Sequence, residues 1–105
     1  MKDPKELKDI DEIRNCIDEL DFHILKLFSD RNLCVKEIVN FKTDREGVIA
    51  KERQESMLAL RRKWAEEYDL DPDLYEKIFK ILIDSNIRKQ LEIIEQSGSN
   101  SIKNK

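Results

Sequence analysis

From Lys5 to Glu46 the chain contains neither glycine nor proline. Through that stretch apolar residues recur at steps of three and four: Ile10, Ile13, Ile17, Leu20, Ile24, Leu27 with Phe28, Val35, Ile38 and Phe41. Such spacing marks one face of an α-helix. It predicts a first helix from about residue 5 to residue 42, roughly 55 Å long at 1.5 Å per residue. A compact domain of this length has a radius of gyration of ~13 Å and a diameter near ~33 Å. About 20 Å of apolar stripe would therefore stand in water. A second chain is the economical remedy, most simply a two-fold dimer in which the long helices pack together. The alternative is a helix broken at Ser29-Asp30 and folded back as a bundle, but neither residue is a strong helix breaker.

Other punctuation is sparse. Both prolines follow aspartate, at Asp3-Pro4 and Asp71-Pro72. An N-cap Asp with Pro at the first helical position starts a helix on two independent grounds. Asp3 also has Glu6 three residues on, the spacing of a capping box. Gly47 follows the polar run Thr43-Asp44-Arg45-Glu46 and closes the first element. A second helix is expected from about 50 to 68, carrying Met57, Leu58, Trp64 and Tyr68. A third is expected from about 72 to 96, carrying Leu74, Ile78, Leu82, Ile83, Ile87, Leu91 and Ile94. Glu76–Lys80 and Asp84–Arg88 stand at i,i+4, as on a solvated face. No internal repeat is visible. The expected organisation is one all-α domain over residues 1–96, three helices per chain in an intertwined dimer, with residues 97–105 as a polar, disordered tail.

Composition narrows the class further. Two glycines and two prolines in 105 residues are too few for a turn-rich β fold. Charged residues make up 41%, yet 20 Lys+Arg against 23 Asp+Glu leave a net charge of only −3. A nucleic-acid partner is therefore disfavoured, because such proteins are normally basic. Leu, Ile, Val and Phe account for 31 residues, enough for a core. No run of 18 apolar residues exists to span a membrane. The N-terminal MKDPKELKD lacks the apolar segment of a signal peptide. Cys16 and Cys34 lie 18 residues apart in one expected helix, roughly 27 Å of rise, too far to pair. They read as small apolar fillers in a reducing cytoplasm. Two Cys and one His at unrelated spacings make no zinc site.

The informative residues are polar ones that interrupt apolar rows. Arg31 falls in the row Ile24, Leu27/Phe28, Val35, Ile38, and an unpartnered buried guanidinium is expensive. Lys42 lies eleven residues on, ~20° around the same helix. Arg14 sits beside Ile13 and Ile17. Gln90 interrupts Ile83, Ile87, Ile94, and Arg53 opens the second helix four residues before Met57. Taken singly, each has a plain structural role: a snorkelling arginine, a seam amide, a surface cation. His23, beside Phe22 and Ile24, reads as a surface residue. As a set they describe a pocket for a small dianion with no nucleophile–base pair. Arg14 and Arg31 are ~25 Å apart along one helix, so one metabolite meets both only if they come from different chains.

These stretches resemble the all-helical chorismate mutase family, with local wording similar to its isochorismate-pyruvate lyase branch. The likeness covers about residues 8–95. It rests on Ile13-Arg14-Asn15-Cys16-Ile17-Asp18-Glu19-Leu20-Asp21, on Arg31 with Val35-Lys36-Glu37-Ile38, and on Phe41-Lys42. Further on it rests on Glu52-Arg53 with Met57-Leu58, on Trp64-Ala65-Glu66-Glu67 with Leu70-Asp71, and on Ile78-Phe79 through Gln90.

The resemblance implies an intertwined dimer with two shared active sites that rearranges chorismate to prephenate. It places Arg14 of the partner chain, Arg31, Lys42, Arg53 and Gln90 in the pocket, with Gln54, Ile38, Ile83, Asn86 and Ile87 also touching substrate. The arginines would hold carboxylates. Lys42 and Gln90 would face the ether oxygen where charge develops. No cofactor, metal or covalent intermediate is implied. Two positions depart from the mutase pattern. Gln54 stands where an acidic residue commonly contacts the ring hydroxyl, and Ala50 where an Asp is frequent. The lyase branch, which converts isochorismate to salicylate and pyruvate, lacks both acids. The mutase is the first expectation and the lyase the second. A third reading, from another class, is a non-catalytic helical dimer that binds partner helices.

Overall fold

The structure, a computed structural model, describes residues 3–41 and 45–103, side chains at 45 and 97–103 excepted. All regular structure among the described residues is helical. A 3₁₀ turn at Pro4–Glu6 precedes α1 (Ile10–Ile38), α2 (Arg45–Ile49), α3 (Lys51–Glu67) and α4 (Pro72–Lys103). Two compact units divide the chain, residues 1–34 and residues 35–105.

The first helix begins later and ends earlier than the spacing predicts. Asp3 does cap, accepting from the Lys5 N–H at 3.0 Å, but the turn ends at Leu7 in extended backbone. A second cap six residues on starts the real helix. The Asp9 Oδ1 accepts from the Glu12 N–H at 2.9 Å, and the Glu12 carboxylate accepts from the Lys8 N–H at 2.7 Å. Asp9 is thus the N-cap, Glu12 reaches past it to the Lys8 N–H, and the apolar row starts directly behind the cap. Residues 3–9 carry only one apolar side chain, Leu7, so nothing draws them into a longer helix.

At the other end α1 closes at Ile38 in three tightened bonds: Val39 N–H to Lys36 O, Asn40 N–H to Glu37 O and Phe41 N–H to Ile38 O. Asn40 also donates from Nδ2 to the Glu37 carboxylate at 2.7 Å, the local bonding that makes Asn a poor helix residue. Phe41 lies beyond the helix and is 83% exposed. The result is 29 residues, ~43 Å of helix.

In the second unit, α3 packs along α4, and the short α2 also packs against α4. Among the described residues few are buried: Val48 on α2, Ala65 on α3, Ile83 and Gln90 on α4. The backbone of the α3–α4 turn is closed by local hydrogen bonds. Leu70 N–H reaches Ala65 O at 2.8 Å and Asp69 N–H reaches Glu66 O at 3.2 Å. This is a Schellman ending with Asp69, at φ 55°, in the place that glycine commonly takes. Asp71 then caps α4, accepting from the Asp73 and Leu74 N–H groups, with Pro72 behind it as expected.

Two arginines join α3 to α4. Arg62 reaches Asp73 at 2.8 Å and Glu76 at 2.6 Å, and these hydrogen bonds, Asp73 first, hold its guanidinium above its ordinary pKa. Arg61 lies over the Trp64 ring at 5.0 Å and the Phe79 ring at 5.7 Å. The charge pairs on α4 are therefore not those expected. Glu76 faces Arg62, and Lys80 turns to Asp84 at 2.8 Å. The helical backbone of α4 runs on to Lys103, past the boundary expected at residue 96. A single Gly98 costs a helix about 1 kcal/mol and does not by itself end it.

Candidate active site

In the first unit, α1 carries Arg14 and Arg31 on one rigid element. Arg14 is exposed, with Nη1 3.8 Å from Asp11 one turn before it. Arg31 is half-buried. Seventeen residues of helix keep the two ~25 Å apart. Lys42 lies outside the described residues. Because α1 ends at Ile38, the helical register that relates Arg31 to residue 42 stops short of it.

The second unit holds the remaining candidates. Ile83, Asn86, Ile87 and Gln90 stand at i, i+3, i+4 and i+7 on α4, which puts them on one face. Ile83 and Gln90 are buried, and Asn86 and Ile87 are half-buried. Gln90 is the buried polar residue of this face. Its Nε2 donates to the Val35 carbonyl at 2.8 Å, across 55 residues of sequence. The reason is visible at the end of α1. A helix leaves its last four carbonyls without partners. Those of Lys36, Glu37 and Ile38 are taken by the tightened bonds, and the fourth, Val35, is taken by Gln90. One N–H and the oxygen of the amide are left over from that bond, since a Gln amide carries two donors and one acceptor. Ile38 lies three residues after Val35 and is exposed, at 39%.

Arg53 and Gln54 share the first turn of α3, and they differ. Arg53 is exposed. Gln54 is part-buried and donates from Nε2 back to the Ile49 carbonyl at the end of α2. Its donor is thus bound to backbone, whereas the resemblance implies a substrate contact. Between the two helices Ala50 adopts φ 39°, ψ 64°, a left-handed conformation unusual for a residue with a Cβ.

A cavity of about 320 Å³ lies along α4, lined by Asp84, Ile87, Arg88, Leu91, Glu92 and Glu95. It includes one expected contact residue, Ile87. Three carboxylates against one guanidinium would repel a dianion, so it does not suit the expected ligand. Among the described residues no group of three or more His, Cys, Asp or Glu side chains is arranged to hold a metal ion. Nor is any helix long and apolar enough to cross a membrane.

Sequence reasoning missed two features of this region. One is the Val35 carbonyl, which carries no residue-type signal. The other is α2 itself, where Gly47 reads as a breaker but sits inside a five-residue helix.

Comparison with known proteins bears out the family resemblance. A family model described as chorismate mutase type II matches residues 13–91. An isochorismate pyruvate lyase of Pseudomonas aeruginosa is 33% identical over 97 residues, covering 92% of this chain and 96% of that protein. A chorismate mutase of Methanocaldococcus jannaschii is 34% identical over 93 residues, covering 88% and 94%.

Proposed function

The chain belongs to the chorismate mutase type II family, and from that premise we propose that it rearranges chorismate to prephenate. The observation that carries this reading is Gln90, a buried amide donor held in one orientation on the α4 face it shares with Ile83, Asn86 and Ile87. A fixed donor beside an ether oxygen lowers the barrier because negative charge grows on that oxygen as the C–O bond breaks. The carbon–carbon bond forms in the same step, so no proton or electron has to be supplied. What the protein contributes is a compact reactive conformer and preorganised charge.

In this reading Arg31 and Arg53, with Arg14 from a second chain, hold the substrate carboxylates. Lys42 joins Gln90 at the ether oxygen, and Ile38, Ile83, Asn86 and Ile87 complete the wall. The working form is a homodimer with shared sites. Support for the dimer is the exposed apolar row of α1, which carries no buried residue in the single chain.

A second activity, cleavage of isochorismate to salicylate and pyruvate, has its own support. One relative bears that name at 33% identity over nearly its full length, and Gln54 leaves no carboxylate to read a ring hydroxyl. The discriminating experiment adds chorismate and isochorismate separately to the purified protein and follows substrate absorbance. Loss of chorismate with formation of prephenate supports the mutase, and salicylate from isochorismate supports the lyase. Turnover of neither leaves a helical binding protein. Lys42→Ala should then lower kcat on the order of 10²-fold, the effect of losing one donor to a developing oxyanion, with KM moving less. A kcat within a factor of two of wild type would remove Lys42 from the reaction.

A further inference from the structure

We propose that Gln54 is a positioning residue: its side chain latches the corner between α2 and α3 and so sets the direction in which Arg53 leaves the first turn of α3. The proposal rests on the reading above in which Arg53 holds a substrate carboxylate. The corner needs a latch because its backbone is unfavourable. Ala50 stands at φ 39° between two helices, and a residue with a Cβ is disfavoured in that conformation.

Three hydrogen bonds hold it there. The Ala50 N–H donates to Glu46 O at 2.9 Å, and the Gln54 N–H donates to Ala50 O at 3.0 Å. The third is the Gln54 Nε2 on the Ile49 carbonyl, a part-buried contact that ties the first turn of α3 to the last carbonyl of α2. Helix α2 is itself seated on α4, with Val48 buried. Arg53 is the residue before Gln54, and Ser56 further secures its turn by donating Oγ to Glu52 O and Arg53 O at 3.2 Å. An N–H donor on a side chain of this length is required at residue 54. A Glu would set a carboxylate against a carbonyl, and a Met would fill the space without the bond.

Three full-length proteins test this: Gln54→Met, Ala50→Gly and the double variant. Each is measured for melting temperature, for amide exchange at Ala50 and Gln54, and for kinetics with chorismate and isochorismate. In Gln54→Met both amides should exchange faster, and KM should rise about fivefold with kcat within about twofold, the signature of lost uniform binding. Ala50→Gly relieves the left-handed residue, so the double variant should regain melting temperature while KM stays high. If KM recovers together with melting temperature, Gln54 acts through stability alone and the proposal falls. A raised KM with unchanged exchange also overturns it, and makes Gln54 a direct substrate contact. If wild type converts neither substrate, the catalytic reading fails by itself. The latch then stands or falls on the exchange of Ala50 and Gln54 in Gln54→Met.

Discussion

Gln90 shows how one side chain can serve the fold and the chemistry together. Its amide satisfies the last open carbonyl of α1 and is buried in doing so. An acid in its place would meet that carbonyl with the wrong charge unless protonated. In Gln90→Glu the native state therefore favours the protonated carboxyl and raises its pKa above the ordinary ~4.3 of Glu. The sign follows from linkage. Native protein binds the proton more tightly than unfolded protein, so the stability of the variant rises as pH falls through the raised pKa and is lost above it. Melting temperatures of Gln90→Glu and wild type, compared from pH 8 to pH 4, should differ most at neutral pH and converge on acidification. A pH-independent gap would mean that the amide–carbonyl bond does not hold this position. Gln90 was legible as a residue because it breaks an apolar row. Its partner was not, because a backbone carbonyl looks the same at every position until the helix is seen to end.

At the scale of the element, where α1 starts is decided by competition between two caps. Asp3-Pro4 carries the stronger local signal, since it combines a cap, a proline and a box spacing. Asp9-Glu12 has no proline but stands immediately before the apolar row, and the long helix begins there. Asp9→Ala should cost about 1 kcal/mol, the usual loss of an N-cap. Asp3→Ala releases only an exposed 3₁₀ turn and should stay within about 0.5 kcal/mol of wild type. Urea unfolding of the two variants at equal protein concentration checks the ranking, and equal losses would mean that the Asp3 turn is coupled to the helix. The α3–α4 turn teaches the converse. Its second half, Asp71-Pro72, was plain in the sequence. Its first half ends α3 on Asp69, which has no glycine to announce it.

For the whole molecule the governing fact is that α1 buries no residue in the single chain. Its apolar row includes Ile17, Leu20 and Ile24, each more than 40% exposed in the single chain. Burying a side chain of this kind is worth ~1.5–3 kcal/mol. A second copy that covers the row should make a stable dimer. Sedimentation equilibrium at micromolar concentration should give twice the chain mass of 12.5 kDa, and an active monomer would sink both the dimer and the shared site. Subunit exchange tests the sharing. Mixing inactive Arg14→Ala with inactive Arg31→Ala should restore activity to about a quarter of wild type, because half the dimers are mixed and each then has one intact site. No recovery after proven exchange would place both arginines in one chain's site.

Whatever depends on periodicity and punctuation is legible in the residues alone. That covers the all-helical class, the three main helices, the start of α4, and the polar residues that interrupt apolar rows; the family came separately, from the resemblance of whole stretches. These are legible because helix geometry repeats every 3.6 residues, and because Pro, Gly and capping residues act within a turn of where they stand. Packing chose which of two valid caps starts α1, stopped α1 at Ile38, and set Glu76 against Arg62 rather than Lys80. Packing likewise turned Gln54 to Ile49 and Gln90 to Val35. Each of these depends on partners between five and 55 residues away or on backbone groups common to every residue, and free energies of about 1 kcal/mol choose among local patterns that are individually sound.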